Sequence, residues 1–142
     1  MRVLIDTNIV LDVLLRRTDF FDASYKVLKL STLNKAETFV TASAITDIYY
    51  FLHRANKDAG KSKETIIRLL NLVALADTTS SDIMNALSSR ILDFEDAVVA
   101  AIAKRIKAEW IVTRNTKDFS NSLIPAIDPK DFLAQISDIE QT

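Results

Sequence analysis

The chain opens with a short apolar run, Val3-Leu4-Ile5, that ends in the polar string Asp6-Thr7-Asn8. An apolar run this short, bounded by polar residues, is typical of a buried strand. The strand would deliver the Asp6 carboxylate to its carboxyl end, the edge at which open parallel α/β sheets gather their functional groups. A buried carboxylate needs a partner or a cation to offset its lost hydration. The start of the chain therefore predicts a cation site at Asp6.

Strand and helix patterns alternate along the rest of the chain. Short apolar runs predict strands at about 2–5, 37–41, 73–76, 110–113 and 124–127. Apolar residues at helical spacing predict helices at about 9–15, 20–33, 44–57, 62–72, 81–89, 93–108 and 131–139. Ser43 is the predicted N-cap of the third helix, and Ser80 or Ser81 that of the fifth. The alternation predicts a three-layer α/β/α sandwich with a central, mostly parallel sheet.

Size and composition limit the classes of protein that fit. With 142 residues, 49% hydrophobic and 26% charged, we expect a single domain over residues 1–142. The absence of cysteine excludes disulfides, thiolate metal sites and a cysteine nucleophile. No leader pattern and no apolar run long enough to span a membrane are present, so we expect a cytoplasmic protein with no membrane association. The net charge of −1 does not exclude nucleic acid, because a bound metal would neutralise several acids.

Four acidic residues fall where such a sheet would bring them together. Asp6 ends the first strand, Asp47 lies in the first turn of the helix after the second strand, and Asp93 and Asp96 flank the start of a later helix. Strand carboxyl ends and helix N-termini meet at one edge of a parallel sheet, and helix dipoles favour negative charge there. Clustered carboxylates are the ligands that Mg²⁺ and Mn²⁺ prefer. The sequence thus predicts a Mg²⁺ or Mn²⁺ site.

Periodicity leaves the identity of one acid open. Asp96 continues a line of small residues along its helix, whereas Glu95 continues a line of large apolar residues, so helical phase alone does not choose between them. Asp12 and the remaining acids are expected on solvated faces. His53, the only histidine, is expected to be structural or exposed, which argues against a histidine-based metal pair or a serine triad.

Four segments resemble the motifs of PIN-domain ribonucleases, of the kind found as toxins in bacterial and archaeal toxin–antitoxin pairs. They are residues 3–8 (VLIDTN), 43–47 (SAITD), 93–97 (DFEDA) and 112–119 (VTRNTKDF), in the order of that family. The resemblance implies a metal-dependent endoribonuclease that hydrolyses RNA phosphodiesters with Mg²⁺ or Mn²⁺. It also implies a small antitoxin partner, and often a homodimer.

The resemblance assigns roles to individual residues. Asp6, Asp47 and Asp96 would be the first, second and third acids and would bind the metal, and Asp47 or Asp93 would orient the attacking water. The supporting residues that it implies are Thr7, Asn8, Thr113 and Asn115. Arg114 and Lys117, beside the fourth segment, are expected to meet RNA phosphates.

Two positions depart from the family pattern. The second acid is more often Glu, and the shorter Asp47 is expected to hold the metal through water. At the fourth segment Thr113-Arg114-Asn115 replaces the usual Thr-x-Asp, so that either Asn115 or the following acid, Asp118, would act there. We therefore expect one tightly bound metal and a second only with substrate.

Two other functional hypotheses compete with the nuclease hypothesis. An aspartyl-phosphate enzyme with Asp6 as nucleophile needs an acid two residues later, where this chain has Asn8. A PIN-like scaffold without catalysis is favoured by Asp47 and Asn115, whereas the retention of Asp6, Asp93 and Asp96 argues against it. An excess of aromatic side chains is consistent with a protein interface: Phe20, Phe21, Tyr25, Tyr49, Tyr50 and Phe51.

Overall fold

The computed structural model describes the backbone of residues 1–141 and the side chains of residues 1–138. Over this range five strands form one sheet: β1 (Arg2–Ile5), β2 (Glu37–Thr41), β3 (Ala74–Ala76), β4 (Trp110–Val112) and β5 (Ala126–Ile127). The helices over the same range are α1 (Thr7–Leu14), α2 (Phe21–Leu28), α3 (Ala44–Asn56), α4 (Ala59–Leu70), α5 (Ser80–Leu87), α6 (Phe94–Arg105) and α7 (Pro129–Gln141), with a 3₁₀ turn at Thr116–Phe119.

The five strands are parallel and lie in the order β3-β2-β1-β4-β5, with β1 in the centre. Alternate residues of β1 face opposite sides, so Val3 and Ile5 join one apolar core and Leu4 joins the other. Helices α1, α2, α3, α4 and α7 cover the first face, and α5 and α6 cover the second. The predicted three-layer α/β/α sandwich with a parallel central sheet is confirmed.

The strand order decides where a site forms. From β1 the chain moves outward to β2 and β3, and then returns to β4 on the other side of β1. The point between β1 and β4 is therefore the topological switch point, where the carboxyl ends of the strands leave a crevice. The Asp6 N–H donates to the Val112 carbonyl over 3.0 Å, which brings the ends of β1 and β4 together there.

Two local predictions were wrong, and a third was right in the position of the cap but not in its side-chain bond. Helix α2 ends at Leu28 rather than near residue 33, since Ser31 Oγ accepts the Thr38 N–H at the start of β2. Ser43 is the N-cap residue of α3, as predicted, but its side chain makes no cap bond, and the Ala44 N–H donates to Thr41 Oγ1 over 3.3 Å. Thr79, rather than Ser80 or Ser81, caps α5.

Residue Thr79 forms a capping box with Asp82. Its Oγ1 accepts the Asp82 N–H over 3.2 Å, and its own N–H donates to Asp82 Oδ2 over 2.8 Å. Arg105, at the end of α6, donates to the same buried carboxylate through Nε over 3.0 Å. The Arg105–Asp82 pair joins α5 and α6, the two helices of the second layer.

Across residues 1–141, no helix combines the length and apolarity that crossing a membrane requires.

Phe132 on α7 has no solvent exposure and packs into the first core. We predict that Phe132→Ala lowers the free energy of unfolding by about 3–5 kcal/mol, because the change leaves a cavity beside the sheet. Urea denaturation would measure the loss. Leu123→Ala, at a residue that is 75% exposed, is the control and should change stability by less than about 0.5 kcal/mol. A loss below about 1 kcal/mol for Phe132→Ala would show that α7 is not part of the core.

Candidate metal and active site

The carboxylate of Asp6 is the best-ordered element of the site. Asp6 is the N-cap of α1 and is 9% exposed. Its Oδ1 accepts the Thr7 N–H over 2.8 Å, and its Oδ2 accepts the Thr113 hydroxyl over 2.8 Å and Asn8 Nδ2 over 3.4 Å. Burial raises the pKa of Asp6 above its ordinary value, although the bonds from Thr113 and Thr7 oppose the shift. The predicted supporting residues Thr7, Asn8 and Thr113 thus all lie against Asp6, Thr7 through its backbone.

A second set of hydrogen bonds fixes the Thr113 side chain in turn. Asn8 Nδ2 lies 3.3 Å from Thr113 Oγ1, and the Asn115 N–H donates to the same oxygen over 3.0 Å. Because these donors occupy Thr113 Oγ1 as an acceptor, the hydroxyl proton is directed to Asp6 Oδ2. The contact of Asn115 is through its backbone, and its side chain is exposed.

Asp93 and Asp96 begin helix α6 on the other side of the crevice. Asp93 is the N-cap, and its Oδ1 accepts the Asp96 N–H over 3.0 Å. Burial, followed by the negative charges of Asp6 and Asp93, raises the pKa of Asp96 to about 7. The Asp96 carboxyl therefore lies in a field of negative charge, which a bound cation would relieve.

Asp47 lies in the first turn of α3 and contacts an acid that the sequence assignment left out. The carboxyl groups of Asp47 and Glu95 share a hydrogen bond, which is the main reason that the pKa of Glu95 is raised. Helical phase had left Glu95 and Asp96 as equal candidates, and the structure places both beside one pocket. Helical phase was thus the sequence signal that could have kept Glu95 among the candidate site residues.

At the fourth segment, the charge near the site comes from Asp118. Asp118, in the 3₁₀ turn, contributes to the raised pKa of both Asp6 and Asp96. Asn115 is the N-cap residue of that turn but makes no side-chain cap bond. Of the two candidates, Asp118 is therefore the one that acts electrostatically on the other acids. Lys117 is exposed beside it.

The structure places Arg114 differently from the expectation of a phosphate-binding loop residue. Its Nε and Nη2 donate to Asp12 over 2.7 and 2.9 Å, and its guanidinium carbon lies 3.9 Å from the centre of the Phe20 ring. Asp12 was expected on a solvated face, but it has no exposure and also accepts Arg17 and Ser24, both over 3.3 Å. Arg114 is thus held against the fold with a quarter of its side chain exposed, because a buried Asp12 requires a charged partner.

Four acids line one pocket of about 190 Å³ at the carboxyl ends of β1 and β2: Asp6, Asp47, Glu95 and Asp96. Over the range that the structure describes, no three acidic or histidine side chains are arranged to surround one ion. Mg²⁺ usually takes only one or two protein carboxylates and keeps several waters. The donor set, all carboxylate oxygen, and the raised pKa of Asp96 therefore fit a hydrated Mg²⁺ or Mn²⁺ between Asp6 and Asp96.

Comparison with known proteins defines the family. The family model of the PIN domain matches residues 2–117, most of the chain. The chain belongs to the PIN domain family. A curated relative, Ribonuclease VapC1 of Aquifex aeolicus (strain VF5), is 21% identical to it over 136 residues, which is 92% of each sequence.

Solved structures with the same fold include members of VapBC complexes. VapBC2 from Rickettsia felis, bound to a DNA fragment from their promoter, gives a TM-score of 0.71 at 18% identity, over 90% of this chain and 98% of that chain. VapBC-1 from nontypeable Haemophilus influenzae gives 0.67 at 14% identity, over 92% of this chain and 99% of that chain. At these identities the likeness shows the fold.

We predict that neutralising Asp96 stabilises the metal-free protein at high pH. The pKa of Asp96 is about 7 in the folded state, which is above its value in the unfolded state. Asp96 therefore makes its full contribution to stability below about pH 4, and this contribution is lost as the pH rises through 7. In EDTA, Asp96→Asn should therefore unfold at a higher temperature than the wild type at pH 8, and the difference should shrink toward pH 4.

The control for this experiment is Glu109→Gln, which changes an exposed acid at the opposite edge of the sheet, before β4. Its pH profile should match that of the wild type. If Asp96→Asn were less stable than the wild type at pH 8, the charge repulsion inferred at Asp96 would be wrong.

The ion pair between Asp12 and Arg114 gives a separate prediction. Asp12→Ala should lower the free energy of unfolding by about 3–5 kcal/mol, because it leaves Arg114 without its buried partner. The double variant Asp12→Leu with Arg114→Met should regain much of that loss, since an apolar pair carries no unpaired charge. Urea denaturation would measure both variants. A cost below about 1 kcal/mol for Asp12→Ala would contradict the buried pairing.

Proposed function

We propose that this PIN domain is a metal-dependent endoribonuclease that hydrolyses RNA phosphodiesters. The observation that carries the proposal is the pair of acids Asp6 and Asp96, one buried and the other with a pKa raised to about 7 partly by the charge of the first. Strongly perturbed carboxyls that share a crevice are typical of functional sites. The curated relative named as a ribonuclease supports RNA as the substrate.

The metal in this proposal is Mg²⁺ or Mn²⁺. Asp6 and Asp96 would hold it, with Asp47 reaching it through water, because the Asp47 side chain is one methylene shorter than Glu. When bound, the ion lowers the pKa of a coordinated water and neutralises charge on the phosphate. Metal dependence is also an electrostatic requirement, since these carboxylates alone would repel the RNA backbone.

The residues around the two acids have positioning roles. The hydrogen bonds of Thr7, Asn8 and Thr113 direct both oxygens of Asp6, and the Asp93 side chain holds the first turn of α6, which carries Asp96. Asp47, which shares a hydrogen bond with Glu95, would orient the attacking water. Asp118 adds negative charge at the fourth position and would favour a second ion once substrate is present.

For RNA contacts beyond the acids, we propose Lys117. Its exposed ammonium group follows β4 beside the site, where it can meet a flanking phosphate. Arg114 has Nε and Nη2 engaged by Asp12, so its role in this proposal is to hold the loop after β4.

The relatives also support a biological role for the enzyme as one member of a toxin–antitoxin pair. Structural neighbours include a toxin–antitoxin complex from Klebsiella pneumoniae, with a TM-score of 0.64 at 17% identity over 89% of this chain and 97% of that chain. We propose that this chain is likewise the toxin of such a pair, acting in the cytoplasm, with a small antitoxin partner and a homodimeric state. The exposed aromatics Phe20, Tyr25, Tyr50 and Phe51 offer apolar area for these contacts.

A scaffold without catalysis is the second candidate. It is favoured by the neutral Asn115 and by the absence, over the described residues, of any three-acid group around one point. Metal binding separates the two candidates. An active site binds Mn²⁺ and loses it on Asp96→Asn, whereas a scaffold shows neither effect.

The test of the proposed function is cleavage of a structured RNA pool by the purified protein with Mn²⁺, with Mg²⁺ or with EDTA. We predict cleavage with either metal, none in EDTA, and none for Asp6→Asn or Asp96→Asn, because each variant removes a proposed ligand. Glu109→Gln is the control and should cleave like the wild type. Cleavage that persists in EDTA, or in both variants, would refute the metal mechanism.

A further inference from the structure

The pocket that contains the acids also has an apolar side. Ile83, Phe94, Val98 and Val99 line it together with Asp6 and Asp96. A phosphodiester, a hydrated metal ion and the attacking water are all polar, so the proposed chemistry leaves this side without a role. Apolar groups beside a few convergent polar groups are typical of a ligand pocket.

Phe94 is the most accessible part of this apolar side. It is the first residue of α6, lies between Asp93 and Asp96 in sequence, and is 47% exposed. Aromatic side chains with an open face are the usual platforms on which single-stranded nucleic acid stacks its bases. The position of Phe94 at the helix start places such a platform next to the acid that would hold the metal.

Size and charge indicate which part of a nucleotide fits. The pocket volume of about 190 Å³ is below the range of roughly 300–1,000 Å³ that holds drug-sized ligands, and the metal side takes part of it, so the apolar side has room for no more than one flat ring. Glu95, the one lining acid without a role at the proposed metal, carries a carboxyl that would repel a phosphate. A neutral base is therefore the part of the RNA chain that can lie there.

The polar groups of the pocket favour some bases over others. Carboxylate oxygens accept the exocyclic amino hydrogens of a base, as Glu and Asp do with cytosine N4. Uracil has the same ring size but presents a carbonyl oxygen at that position, which a carboxylate repels. The exposed Glu95, adjacent to Phe94 in sequence, is the acceptor that discriminates between the two.

We propose that this side of the pocket is a subsite for one unstacked, amino-bearing base of single-stranded RNA, next to the scissile phosphate. Phe94 is the stacking surface and Glu95 accepts the amino group. The assignment rests on the proposed ribonuclease function and adds a base preference to it.

The test is equilibrium binding of short fluorescein-labelled cytidine and uridine homopolymers to the full-length protein with Ca²⁺. The wild type should bind the cytidine oligomer more tightly. Phe94→Ala should weaken that binding by about 5- to 150-fold, the measured range for loss of one stacked base. Glu95→Gln should reduce the difference between the two oligomers, because an amide also donates to the uracil carbonyl.

Ile67→Ala is the control, because Ile67 is 62% exposed on α4 and lies outside the pocket lining. It should bind both oligomers as the wild type does. Equal affinity for the two oligomers, no binding of either, or an unchanged affinity in Phe94→Ala would overturn the subsite. If the base preference and its loss in Phe94→Ala are observed without RNA cleavage, the subsite stands and the proposed hydrolysis fails.

Discussion

The buried carboxylate at the end of the central strand is the constraint on which the rest of the site depends. Asp6 is held by its place at the end of β1 and by the donors Thr7, Asn8 and Thr113. Those donors come from α1 and from the residue after β4. The elements that meet at the switch point of the sheet therefore also fix the orientation of the Asp6 side chain. A carboxylate fixed in this way cannot turn toward water, and a cation is the natural way to compensate its charge.

The acids inside the fold have two different kinds of surroundings. Asp12 and Asp82 each have an arginine partner, and both pairs join elements that are distant in sequence. Asp6 instead raises the pKa of Asp96, and the charges of Asp93 and Asp118 raise the pKa of both, which opposes ionisation in the metal-free protein. Uncompensated charge of this kind costs stability, and it is the expected signature of a site that a metal completes.

The sequence predicted what local patterns determine. Strands β1 and β2 and the start of α6 after Asp93 follow from short-range spacing, and the α/β alternation predicts Asp6, Asp47 and Asp96 at one edge. The pairing of Asp12 with Arg114 joins residues 102 positions apart and leaves no local pattern, so Asp12 was assigned to a solvated face. Thr79 was missed as the cap of α5 because two serines, Ser80 and Ser81, follow it. The capping bond of Thr79 depends on Asp82, whose side chain is held by the distant Arg105. The contact of Glu95 with Asp47 likewise required the packing of α3 near α6.

Anomalous diffraction from Mn²⁺-soaked crystals tests the central claim most directly, because it locates the ion without relying on activity. We predict a manganese peak in the pocket at the carboxyl end of β1, coordinated by Asp6 and Asp96 and completed by water. The absence of a peak in that crevice at saturating Mn²⁺, or a peak only at acids elsewhere on the surface, would contradict it.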